Sequence, residues 1–167
     1  DYKARADHRE AAVLCAEDNR FFEHEGVDYT GIVRAVFLNL KAGGVTQGGS
    51  TITQQLARNS FKLNERSLQR KLTEACLARR IERRFSKSQI LEFYLNVVYF
   101  GRGAYGIASA SQIYFGKAPA DLTLSEAATL IALLKGPAFY DPGGRHPERA
   151  AQRKNVVLGQ MVKYGYI

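Results

Sequence analysis

Two glutamates and a run of cations are the residues of this 167-residue sequence best equipped to do chemistry. Glu17 lies in the stretch AEDNRFFEHEGVD, residues 16–28, among Asp18, Glu23, His24, Glu25 and Asp28. In a helix over 9–22 it shares a side with Val13, Ala16 and Phe21. A carboxylate against an apolar face tends to have a raised pKa, which suits it to proton transfer. The same spacing also describes a surface glutamate at a helix end, and spacing alone leaves both readings open. Glu74 is a lone acid in RKLTEACLARR, flanked by Arg70, Lys71, Arg79 and Arg80. Those cations favour its ionised form, and the bland alternative is an i, i+4 salt bridge with Arg70. Together the two acids could face each other across a cleft, the arrangement glycosyl chemistry uses.

A third stretch, GGVTQGGSTITQQLARN at 43–59, holds no His, Cys, Asp or Glu. Ser50 is suited to be the N-cap of a helix. From that start Ile52 and Leu56 face inward, while Thr51, Gln54, Gln55 and Arg58 share the other side at i, i+3, i+4 and i+7. Such a face offers hydroxyls, amides and a guanidinium to a hydroxyl-rich or phosphorylated ligand, and the helix N-terminus adds an anion site. A merely exposed polar face has the same spacing. His24, beside Gly26, reads as a hydrogen-bonded structural histidine, and His8, His24 and His146 are too scattered for a metal site.

The elements that must position these groups read as helices. Apolar periodicity predicts helices over 9–22, 30–41 (Val33, Val36, Phe37, Leu40), 65–84 with Leu68, Leu72, Ala75 and Ile81 on the buried side, and a helix capped by Ser86. Thr123 and Glu126 form a capping box for a helix over 124–135, and Pro147 opens a last helix over 147–164. No alternating strand of convincing length is present, so the fold class is mostly α, with at most a small hairpin. The size suits a single domain spanning 1–167. Cys15 and Cys76 read as two buried thiols. The abrupt start at DYKARADHRE suggests a domain excised from a longer chain.

The net charge of +8 points to an anionic partner. Seven Lys/Arg fall within 66–84 against Glu74 and Glu82, making a basic helix. That helix lacks any accompanying nucleic-acid motif, which leaves an anion-binding helical module as the non-enzymatic alternative and nucleic acid unexpected as a partner. GRGAYG at 101–106 matches the dinucleotide fingerprint in letters only, because an amphipathic helix rather than a strand precedes it.

Five segments occur in order: EDNRFFEHEG, GGSTITQQLARN, RKLTEACLARRIE, ILEFYLNVVYFGRGAYGI with its downstream YFGK, and SEAATLIALLKGP. Over roughly residues 10–160 the chain resembles the peptidoglycan glycosyltransferases (glycosyltransferase family 51), the transglycosylase domain of class A penicillin-binding proteins and of monofunctional cell-wall polymerases. The resemblance implies a lysozyme-like helical fold of two lobes around a cleft, the smaller, membrane-proximal lobe covering approximately 28–60. It implies polymerisation of lipid II and the growing lipid-linked glycan chain on the outer face of the bacterial cytoplasmic membrane. Glu17 would be the general base and Glu74 the second essential acid, orienting a cationic cradle or, in some members, a divalent ion (Mg2+ or Mn2+); no organic cofactor is expected.

By motif position Arg58, Arg66 and Lys71, with Arg70 adjacent, would surround the pyrophosphate. Ser50, Thr51, Gln54, Gln55 and Asn59 would contact substrate, and Asp18 would order the first motif. Where the family often has Lys-Asn, this chain has Arg58-Asn59, and the two cations differ in contact geometry. Val33, Val36, Phe37 and Leu40, beside Arg34 and Lys41, would dip into the membrane; ordinary core packing is the alternative. Moenomycin-type inhibitors would bind the cradle, and the glycines of 41–49 would make that segment mobile. A lytic, glycan-cleaving enzyme of similar fold is the rival enzymatic reading, disfavoured because a neutral leaving group has no use for the cations.

Overall fold

The computed structural model describes residues 7–44, 48–63 and 67–167. Arg66 and the centre of the 41–49 segment, 45–47, lie outside the described residues. The chain is mostly helical and divides into two compact units, one formed by 1–19 with 95–167 and the other by 20–94.

In the first unit, α1 (His8–Glu17) starts at Asp7, whose carboxylate accepts the backbone N–H groups of Arg9 and Glu10. Five consecutive residues, Ala11 to Cys15, are buried, so this helix is enclosed by packing on all sides. It packs against α7 (Leu124–Leu133) and α8 (Pro147–Lys163), which also pack on each other. α1 ends at Glu17, short of the expected 22, because the backbone turns out of helical geometry at Asp18 (φ −159°). Phe21 therefore does not share a helix face with Glu17.

The hairpin β1 (Tyr99–Gly101) and β2 (Ala104–Tyr105) leads into α6 (Ile107–Phe115), a helix the periodicity did not reveal. GRGAYG is thus a turn and a helix entry, not a nucleotide loop. Gly106 sits at φ +79°, and a Cβ there would stand 2.5 Å from the Asn96 carbonyl oxygen, so only glycine fits. Arg102 closes the turn through two hydrogen bonds to Asp141, at 2.8 and 2.7 Å.

The second unit holds α2 (Tyr29–Ala42), α3 (Ile52–Ser60), α4 (Leu68–Glu82) and the first residues of α5 (Lys87–Val97), within which the unit boundary falls. α3 packs on α4. The expected buried stripe of α4 is not the observed one. Leu68 and Leu72 are 86% and 69% exposed, while Glu74 and Ala78 are buried and the Glu82 side chain nearly so. Residues 74, 78 and 82 form one stripe at i, i+4, i+8, and two of its three members are acids. Cys76 is exposed, while Cys15 is buried; both are free thiols.

Thr123 and Glu126 do form the capping box of α7, and Lys117 pairs with the same carboxylate at 2.8 Å. The Lys117 hydrogen bonds, then those from Thr123, lower the Glu126 pKa from its ordinary 4.5 to about 2. A carboxyl whose pKa is lower in the folded state stabilises the fold above its unfolded value, and that contribution disappears as pH falls through the folded value. Glu126→Gln should therefore melt below wild type at pH 5–7, with the gap closing as pH drops from about 4.5 towards 2. Thermal melts across that range check it.

Candidate active site

Glu74 is completely buried although it carries a carboxylate. Its Oε2 lies 2.9 Å from Lys71 Nζ, and its Oε1 lies 3.2 Å from Arg70 Nε, a charge contact without hydrogen-bond alignment. Lys71 Nζ also donates to Ser50 Oγ at 2.8 Å. Removing a carboxylate from water costs several kcal/mol, roughly, so the two cations are what permit its burial. The i, i+4 salt bridge with Arg70 expected from the sequence is present. Two cations, one of them 42% exposed, lie against the buried Glu74 carboxyl.

The N-terminus of α3 adjoins this group. Thr51, not Ser50, is the N-cap: its Oγ1 accepts from Gln54 N at 3.1 Å, and Gln54 Oε1 accepts from Thr51 N at 3.0 Å. That reciprocal pair satisfies two otherwise orphaned donors. It also turns Thr51 and Gln54 inward, so both are buried and the expected polar wall is narrower. Freed from capping, the Ser50 hydroxyl takes the Lys71 bond. Thr51 Oγ1 further donates to the Gly26 carbonyl at 2.6 Å. Gln55 accepts from the Tyr94 hydroxyl at 3.0 Å, and Arg58 and Asn59 lie partly exposed in the last turn of α3.

The loop after Asp18 is fastened to the same unit. Gly26 (φ +89°) lies so close to α4 that a Cβ would stand 2.9 Å from the Ala78 carbonyl carbon. His24 is buried and its Nδ1 accepts from Gly26 N at 3.2 Å, which makes it the structural histidine its position suggests. Sequence reasoning missed a second buried polar node. Thr53 Oγ1 donates to Glu82 Oε1 at 2.6 Å, and Lys87 Nζ donates to Glu82 Oε1 at 2.8 Å and to the His24 carbonyl at 2.6 Å. Its one trace in the sequence is the i, i+8 spacing of Glu74 and Glu82, which a search for an apolar inner face passes over.

The structure thus brings together Ser50, Arg70, Lys71 and Glu74 in the second unit. Glu17, partly exposed at the end of α1, and the buried Asp18 belong to the first. Residues 1–162 match the sequence profile of the family described as Transglycosylase.

The chain belongs to the transglycosylase family.

It is 54% identical over 156 residues to penicillin-binding protein 1A of Aquifex aeolicus, covering 93% of this chain and 21% of that protein. Penicillin-binding protein 1A of Escherichia coli is 50% identical, over 93% of this chain and 18% of its own length. Penicillin-binding protein 1F of Bacillus subtilis is 47% identical, over 93% and 22%. The chain therefore spans about a fifth of the length of the curated relatives it matches. A crystal structure of penicillin-binding protein 1A from Haemophilus influenzae aligns with a TM-score of 0.47 at 35% identity, covering 68% of this chain and 14% of that one.

In this transglycosylase domain the donors around Glu74 do not fit a divalent cation. Each carboxylate oxygen faces a cation already, and no group of three or more His, Cys, Asp or Glu among the described residues could hold a metal. Removing one partner of a buried ion pair leaves an uncompensated charge, at a cost of about 3–5 kcal/mol, whereas replacing the whole pair by apolar groups is often neutral. Arg70→Met should therefore lower unfolding stability strongly, and adding Glu74→Leu should recover most of the loss. Denaturant unfolding of both variants checks this; additive losses would mean that the pair does not act as a unit.

Proposed function

We propose that this chain, a peptidoglycan glycosyltransferase by family, polymerises lipid II into β-1,4-linked glycan strands and releases undecaprenyl pyrophosphate. The 4-hydroxyl oxygen of the acceptor sugar bonds to the anomeric carbon of the lipid-linked chain with inversion. The anomeric C–O bond to pyrophosphate breaks, and the hydroxyl proton passes to Glu17. A pyrophosphate leaves without a general acid, so the larger need is to compensate the negative charge it develops. The observation that carries this reading is the pair of cations held over buried Glu74, with Lys71 reaching Ser50. Arg58 and Arg66 would extend the same cradle, Gln55 and Asn59 would contact sugar or phosphate, and Thr51, Gln54 and Asp18 would hold the backbone that presents them. A moenomycin-type phosphoglycolipid would occupy the cradle in place of substrate.

The same reading places the domain at the extracytoplasmic face of the bacterial cytoplasmic membrane. Among the described residues no helix is long and apolar enough to cross a membrane. Instead α2 carries Val33, Val36, Phe37 and Leu40 in the open, Phe37 at 67% exposure, with Ala35 its only buried residue. That exposure rules against core packing for these four. Leu68, Leu72 and Phe61 add exposed apolar groups in the same unit. An apolar helix face flanked by Arg34 and Lys41 suits the interfacial region of an anionic bilayer.

Two experiments test the proposal. Incubated with labelled lipid II, the wild-type domain should form glycan polymer, and Glu17→Gln should abolish it with the melting temperature unchanged; polymer from that variant would remove Glu17 as the base. Phe37→Asp should reduce binding to anionic liposomes severalfold while leaving the melting temperature within a few degrees. A large drop in melting temperature with intact liposome binding would return Phe37 to the core.

A further inference from the structure

A cavity of about 460 Å³ opens beside the node at Glu82, lined entirely by residues of the second unit. Its volume falls in the range of small-ligand sites, roughly 300–1,000 Å³. The charges around it do not cancel internally. Lys87 is consumed by Glu82 and the His24 carbonyl. Glu23 is held by Arg20 at 2.8 Å. What remains is two exposed guanidiniums, Arg79 in the last turn of α4 and Arg83 at its C-cap, and the exposed carboxylate of Glu25. None of these three makes a side-chain hydrogen bond or ion pair among the described residues. Both bonds to Glu82 fall on Oε1, which leaves Oε2 without a hydrogen-bond partner among the described residues. The side chain of Phe22 supplies an apolar wall.

We infer that this cavity binds a small zwitterion, its oxyanion on Arg79 and Arg83 and its ammonium against Glu25 and Glu82. Arginines at i, i+4 project side by side, about 5–6 Å apart at Cβ, a spacing that lets both guanidiniums reach one oxyanion. A simple anion would leave the carboxylates facing it and be repelled by them; a simple cation would meet the two guanidiniums. Only a ligand bearing both charges answers the whole lining. Phosphoethanolamine headgroups and short peptides with free termini share that chemistry. The site uses none of Ser50, Arg70, Lys71 or Glu74, so its failure would leave the glycosyltransferase reading untouched.

The test is an NMR titration of the isotope-labelled chain, following the side-chain signals of Arg79 and Arg83. The probes are phosphoethanolamine, the dipeptide alanylalanine, inorganic phosphate and ethanolamine. At least one zwitterion should saturate with an affinity about tenfold or more above phosphate and ethanolamine, a difference of about 1.4 kcal/mol. The tighter of the two zwitterions identifies a lipid or a peptide source. Arg79→Gln/Arg83→Gln should lose that affinity, and Glu25→Gln should weaken the zwitterion while strengthening phosphate. Equal binding of phosphate and the zwitterions would overturn the proposal, as would the lack of any saturable shift.

Discussion

A carboxylate with no access to water, held between two cations on its own helix, is the constraint around which the second unit is organised. Glu74 cannot be buried uncompensated, so Arg70 and Lys71 must lie on the side of α4 that faces α3. Lys71 then reaches across to Ser50, and eleven residues further along α4 Glu82 reaches across to Thr53. Two polar ties, separated by about 16 Å of helix at 1.5 Å per residue, set how α3 lies on α4. Apolar contacts alone would tolerate sliding; directional bonds to buried charges do not.

That choice has a consequence on the rest of α4. With acids and Ala78 occupying its buried stripe, the leucines at 68 and 72 are left outside. Exposed leucines on a charged helix are costly in water unless something apolar covers them. α2 shows the same inversion, with one buried alanine and a row of exposed large apolar residues. The proposed bilayer contact would cover both helices at once. A membrane-bound substrate with a pyrophosphate linkage would also need cations close to that surface. The net charge of +8, with seven Lys/Arg against two Glu within residues 66–84, is consistent with both demands.

The first unit solves a different problem. α1 is enclosed by α7 and α8 along its length and ends at Glu17, where the chain leaves helical geometry. A glutamate at the last residue of a core helix is held by packing without being submerged in it, because the backbone leaves helical geometry at the next residue. Glu17 is partly exposed as a result, whereas Glu74 is sealed. The two acids therefore sit in opposite environments, one partly open to solvent and one enclosed between cations.

Helix content, the capping box at Thr123 and Glu126, the start at Pro147 and the pairing of Arg70 with Glu74 were legible in the sequence. Each depends on residues within four positions of one another, and such contacts are dictated by helix geometry alone. The ordered motifs likewise identified the family and, through it, the chemistry. The inward turn of Thr51 and Gln54 was written in the sequence as a capping box, but Ser50 offered a competing cap, and only its bond to Lys71 on another helix decided between them. The buried stripe of α4 was not legible, because periodicity assumes that the inner face is the apolar one. Here the inner face is acidic, and its burial depends on Thr53, Lys87 and Ser50, which lie five to twenty-nine residues away in sequence. Local spacing determined which residues could pair; tertiary packing decided which face of each helix was inside, since desolvating a charge is permitted only where the fold supplies its partners.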